Sequence, residues 1–319
     1  MRLKLALTVT AIVASCAIHG IAFAQILVTN HGPTNTVDEY NFDGAPAGSG
    51  TLISNLNSPY GMVVSGSFLY VTNEGNNTGG VGSIGEYTTS GSPVDSGTLV
   101  STNLSYPEFM AISGSNIFVS NTGFNEISEY TTSGSLVNAS FISGLNNPTG
   151  IAISGSSMFV ANYGSNTIGE YTTSGSAVNT ALISGQGLSE PVGLAISGSN
   201  IFVANNVGTS IVGEYTTSGS TVNSSLIAGP NGAIGIALTD SNIFVVNSDA
   251  NTVGEYTISG SAVNTSFITG LDSPYDIIVA VPEPSIWAAL VVGAGLLTGF
   301  TLCRSIVSHS REKHLKHKS

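Results

Sequence analysis

Two carboxylates and a few aromatic side chains interrupt a sequence that otherwise repeats itself closely. Six times a proline or its counterpart (Pro59, Pro107, Pro148, Pro191, Ala233, Pro274) opens an apolar run. The residue after it is Tyr60, Glu108, Thr149, Val192, Ile234 or Tyr275, and the next is Gly61, Phe109, Gly150, Gly193, Gly235 or Asp276. Departures from a repeat are where a site belongs, so Tyr60, Glu108, Phe109, Tyr275 and Asp276 form the candidate ligand-binding set. His31, in the first connecting loop, joins them, and Glu74, Tyr163 and Asp249 occupy loops of the same kind. Aromatic faces beside carboxylates and amides suit a sugar, or a hard cation such as calcium. Drift of a repeat at an exposed polar rim would give the same residues.

Other chemistries lack their parts. From Leu5 to Cys303 there is no Lys or Arg, while residues 25–280 carry seventeen Asp and Glu. Such a body repels phosphate, so nucleic acid is not a partner, and phosphoryl transfer has no cationic clamp. His31 is the single histidine of the body, which excludes a His-rich zinc site within one chain. No Ser-His-Asp group can be assembled, and Gly75-Asn76-Asn77-Thr78-Gly79-Gly80 belongs to an expanded loop, not to a phosphate loop opening a helix. The sequence names no catalytic residue, no metal ligand and no cofactor, with calcium the one ion the rim would suit.

The elements that must position these residues follow from a second pattern. Glu-Tyr recurs at Tyr40, Tyr87, Tyr130, Tyr171, Tyr215 and Tyr256, at steps of 47, 43, 41, 44 and 41 residues. A period of 40 to 45 residues made of short apolar runs and Gly/Ser turns marks a β-propeller blade. Each repeat holds four strands, as in 149–155, 157–163, 167–173 and 180–185. The apolar residues do not alternate, because propeller strands are covered on both faces. Counted by type, the chain starts on a second strand (26–30) and ends on a first strand (273–281). The expectation is an all-β, six-bladed propeller with four-stranded blades, closed by one C-terminal strand joining three N-terminal ones. Glu and Tyr present in every copy are then scaffold: the glutamates bond turn hydroxyls or amides, and the tyrosines pack between blades.

Pro148-Thr149-Gly150-Ile151-Ala152-Ile153 resembles the inner-strand motif of NHL-type repeats, and Tyr70-Val71-Thr72-Asn73 spells the motif of YVTN-type repeats. Such likeness implies fold and not function. YVTN propellers commonly have seven blades, whereas this chain has material for six.

The two ends read as addresses. Residues 1–24 have the charged, apolar and small-x-small zones of a secretory signal peptide, with Ala22-Phe23-Ala24 before Gln25. Val13-Ala14-Ser15-Cys16 offers lipoprotein processing as the competing reading. Residues 286–303 are eighteen uncharged residues, the length of one transmembrane helix, followed by a basic tail at 304–319 that the positive-inside rule places in the cytoplasm. Both cysteines, Cys16 and Cys303, fall in these ends, so the propeller of residues 25–281 has no disulfide. Val281, Pro282, Glu283 and Pro284, the helix and the basic tail together resemble the PEP-CTERM sorting signal of Gram-negative bacteria.

That resemblance implies signal peptidase and an exosortase-type processing enzyme as partners. It also implies a body held on the periplasmic side of the inner membrane and then moved to the cell surface or beyond, often alongside exopolysaccharide production. A plain single-span anchor on a proline-rich stalk is the alternative. Function then divides between a non-enzymatic binder of exopolysaccharide or surface proteins and a metal-dependent lyase or lactonase-like hydrolase with Glu108 and Asp276 as ligands. Exosortase processing predicts a mature C-terminus that lacks residues 286–303, read by mass spectrometry of the secreted protein; recovery of that helix in the secreted chain would rule processing out.

Overall fold

The computed structural model describes residues 25–75, 81–206 and 211–280. The signal peptide, the Val281–Pro284 motif, the apolar segment 286–303 and the basic tail lie outside the described residues. Among the described residues, no helix is long and apolar enough to cross a membrane.

Six four-stranded antiparallel sheets form the body. Blade 1 combines Pro274–Ala280 with Gln25–Asn30, Thr36–Tyr40 and Pro46–Ile53, and blades 2 to 6 follow as residues 59–100, 107–142, 148–184, 191–228 and 233–269. The first strands of neighbouring blades lie side by side and close a ring. The expected closure is present: Gln25 pairs with Ala280, Ile26 with Val279, Leu27 with Ile278 and Val28 with Ile277. This ladder converts two open sheet edges into one complete blade.

The core divides into one cluster per blade interface. Ile201, Phe202, Val203 and Ala204 are consecutive and all buried, which explains the absence of alternation: one face meets the preceding blade and the other the following blade. The repeated tyrosines reach backwards across these seams. Tyr130 of blade 3 packs on Ile84 and Val100 of blade 2, and Tyr215 of blade 5 packs on Ile168 and Ile183 of blade 4. In four blades a glycine two residues earlier makes room for the ring, as a Cβ at Gly213 would lie 2.7 Å from Tyr215. The Tyr130 hydroxyl donates to the carbonyls of Thr102 and Asn103, and that of Tyr215 to the carbonyl of Gln186. The hydroxyls of Tyr87, Tyr171 and Tyr256 have no hydrogen-bond partner among the described residues.

The repeated glutamates serve within a blade. Glu129, Glu214 and Glu255 accept from the side-chain amides of Asn116, Asn200 and Asn242 at 2.7, 2.7 and 2.6 Å, and Glu170 accepts from the Ser157 hydroxyl at 2.9 Å. Each donor is the first residue of the second strand, so the acid pins the end of a hairpin.

The outermost strands are exposed and uncharged in blades 4 to 6, a composition prone to edge pairing. A bulge blunts each of them, and Asn179, Asn223 and Asn264 turn their side-chain oxygens onto the chain's own N–H two residues on.

Tyr171 and Tyr215 are both buried and both follow a glycine by two residues but differ in their hydroxyl partners, which allows a paired test. Tyr215→Phe should cost about 1 kcal/mol in denaturant unfolding, because the Gln186 carbonyl loses its donor. Tyr171→Phe should stay within about 0.5 kcal/mol.

Candidate functional site

All six first strands carry a bulge just after their opening residue, where the register slips, as between Pro59 and Met62 or Pro107 and Met110. The residue before the strand is left-handed each time: Ser58, Tyr106, Asn147, Glu190 and Ser273 have φ of 47–52°, and Gly232 has φ 73°. Bulges re-aim side chains, and here they turn residues 60, 108, 149, 192, 234 and 275 around one end of the ring. Four of the next positions must be glycine, because first strands approach too closely for a side chain. A Cβ at Gly193 would lie 2.2 Å from the Ile234 carbonyl oxygen, and one at Gly150 2.3 Å from that of Val192. Phe109 and Asp276 occupy the two remaining places.

Five of the six candidate residues come together at this mouth. His31 stands edge-on to Tyr60 with ring centroids 4.5 Å apart, Tyr60 lies 4.0 Å from Tyr275, and Tyr275 lies 5.7 Å from Phe109. Phe109, Val192 and Ile234 form a buried apolar plug against which Tyr163 and Tyr275 pack. The carboxylates are paired with phenols around it. Tyr275 donates to Glu108 at 3.2 Å and Tyr163 to Glu190 at 2.8 Å, while Tyr60 bonds Glu74.

Electrostatics here are those of an acidic, cation-free site. Burial raises Glu108 from the ordinary 4.5 to about 7, partly offset by the bond from Tyr275, with the nearby Glu74 charge raising it further. Burial and the neighbouring carboxylates raise Tyr60 and Tyr275, and Tyr163 is pushed up to about 12. His31 is lowered by burial against the opposing pull of Glu74, and its buried Nδ1 has no partner.

Asp276 is placed differently. Its two carboxylate oxygens accept from the N–H groups of Met62 and Ile277, both at 2.8 Å, and its own N–H donates to Thr29. It lines a cavity of about 160 Å³ that first strands of all six blades share, so it lies on the ring axis. Burial raises it to about 7. With both oxygens committed to backbone, its role in this geometry is to tie the closing strand to blade 2. Among the described residues, no group of three or more His, Cys, Asp or Glu gathers as metal ligands would.

Sequence reasoning passed over one set, the asparagine that ends every second strand: Asn30, Asn73, Asn121, Asn162, Asn205 and Asn247, all buried. Five accept a loop N–H from the preceding blade seam, from Asp272, Asn57, Ser105, Asn146 and Ser189 at 3.1, 3.4, 2.6, 3.3 and 3.1 Å. The sixth, Asn247, leaves its buried oxygen unpartnered. Its recurrence in all six copies was the available signal.

Comparison with protein-family models and with curated protein sequences finds no match. Solved structures do match in fold. A chain of the nidogen/laminin complex superposes with a TM-score of 0.65 at 14% identity, over 82% of this chain and 99% of that one. A Bacteroides uniformis protein provisionally assigned as a 6-phosphogluconolactonase gives 0.58 at 14% identity, over 80% and 98%. A protein of unknown function from Desulfotomaculum acetoxidans gives 0.56 at 19% identity, over 81% and 86%. At these identities the likeness shows the propeller fold alone.

Glu108 and Asp276 both bind protons more tightly folded than unfolded, so the folded state carries more protons between about pH 4.5 and 7. Their contribution is complete below the unfolded carboxylate range and is lost as pH rises through 7. The chain should therefore melt at higher temperature at pH 5 than at pH 7.5, and Glu108→Gln should reduce that difference while Asp276 keeps its share; a profile unchanged by Glu108→Gln would contradict the assignment.

Proposed function

We propose that this chain is an exported, non-enzymatic propeller that binds a polysaccharide or another surface protein at the bacterial envelope or in the extracellular matrix. The apolar plug at the mouth carries the reading. Phe109, Val192 and Ile234 fill the ring where a small substrate would enter, leaving Tyr60, His31 and the phenol–carboxylate pairs as a shallow face. Such a face suits a large hydroxylated or cationic surface more than a sequestered substrate. Carboxylates already bonded to tyrosines act as acceptors for further donors and need no reorganisation to do so.

Delivery rests on the sequence of the ends: secretion through residues 1–24, then sorting through Val281, Pro282, Glu283 and Pro284 and the segment 286–303. On this reading the membrane is met through that one segment, and signal peptidase and an exosortase-type enzyme are the processing partners.

The competing enzyme reading, a metal-dependent lyase or lactonase-like hydrolase, has one favourable observation: Glu108, raised to about 7, stands 3.2 Å from a tyrosine hydroxyl. Its second ligand, Asp276, has both oxygens bonded to backbone. Calorimetry with calcium and zinc separates the two. Silent titrations with retention on an exopolysaccharide column, weakened in Tyr60→Ala, are expected. Micromolar metal binding that disappears in Glu108→Ala would replace the binder with the enzyme.

A further inference from the structure

Away from the mouth, two grooves lie at blade seams. One, about 570 Å³, opens between blades 3 and 4, and the other, about 390 Å³, between blades 5 and 6. They are the same groove built twice: Asn146, Asn162 and Tyr171 of the first stand at the repeat positions of Asn231, Asn247 and Tyr256 in the second. Neither lining includes a charged residue, in contrast to the acidic mouth.

At two other seams a longer loop into the next blade covers the tyrosine hydroxyl. Between blades 4 and 5 it is longer, with Gln186-Gly187 following Gly185 where Leu145 directly follows Gly144. The Gln186 carbonyl takes the Tyr215 hydroxyl, and its side chain accepts from Thr221. Between blades 2 and 3, Thr102 and Asn103 cover Tyr130 in the same way. The shorter loops leave the hydroxyls of Tyr171 and Tyr256 without a partner among the described residues.

A second, independent observation points to a ligand. Asn247 is 4% exposed, lines the second groove, and its side-chain oxygen has no partner among the described residues. The loop there carries Pro230 where the other seams have leucine, and the N–H that satisfies the equivalent asparagines does not reach. A buried acceptor of this kind requires a donor. A peptide adding as a strand finds the neighbouring outer edges interrupted, because Asn179 and Asn264 bond their own backbone there. A charged ligand finds no counter-charge.

We infer that these two seams bind a neutral polysaccharide, with a sugar hydroxyl donating to Asn247 Oδ1 and the tyrosine hydroxyls facing further sugar hydroxyls. The sites are separate from the mouth and stand whether or not the mouth binds anything. The test uses the full chain with cellohexaose, maltohexaose and laminarihexaose, and with hexagalacturonate as the charged control, followed by saturation-transfer NMR and calorimetry. At least one neutral hexasaccharide should bind at about two sites per chain. Insertion of Gln-Gly after Gly144, or after Gly229, copies the covered seam and should remove one site each. Ala177→Tyr and Ala262→Tyr, substitutions at exposed groove residues that leave the core untouched, should do the same. Tyr60→Ala should leave this binding unchanged. Absence of binding by all three neutral hexasaccharides, equal binding of hexagalacturonate, or stoichiometry unaffected by both kinds of variant would overturn the proposal.

Discussion

A ring of sheets holds only if it closes, and here closure rests on one ladder between residues 25–28 and 277–280. Every other blade is a local hairpin stack whose strands are near neighbours in sequence. Blade 1 alone joins residues some 250 positions apart, with a correspondingly larger loop-closure cost. Several polar contacts accumulate at that seam. Asp276 reaches Met62, Thr29 receives the Asp276 N–H, and Asp272 bonds both Asn30 and the Thr34 N–H. The seam also bears Tyr60, Tyr275 and His31, so the mouth aromatics sit at the most non-local contact of the molecule.

The body manages its charge without a single cation. Seventeen carboxylates between residues 25 and 280 have no Lys or Arg to meet. Amides and hydroxyls take the repeated glutamates, backbone N–H groups take Asp276, and phenols take Glu74, Glu108 and Glu190. Hydrogen bonds to the charged form favour it, while burial opposes it. At Glu108 and Asp276 burial wins, and both titrate near 7. The mouth is accordingly an acceptor-rich surface, whereas the seam grooves are uncharged, so one scaffold presents two chemically distinct faces.

Much of the architecture was legible because propeller strands are specified locally. The run Ile201 to Ala204 declares a strand covered on both faces, the Gly-Ser turns declare the hairpins, and counting strand types predicted that the chain begins on a second strand and ends on a first. The site was legible in part. Breaks in the repeat led to Tyr60, Glu108, Phe109, Tyr275 and His31, which do meet, since equivalent positions in a ring face a common axis. The second-strand asparagines went unremarked although they recur in each repeat, because a buried amide looks like any turn residue until its partner is seen.

The sequence by itself determined the strand content, the blade number and which strand closes the ring, all encoded in patterns of a few residues repeated six times. Tertiary structure alone decided which polar atoms are satisfied. Asp276 reads as a rim carboxylate until Met62, 214 positions away, is found bonded to it. Asn247 reads as one of six equivalents until the adjoining loop is found to bring no N–H to its oxygen among the described residues. Hydrogen-bond satisfaction depends on distances of a few tenths of an ångström between groups that only packing brings together, and no local pattern encodes that.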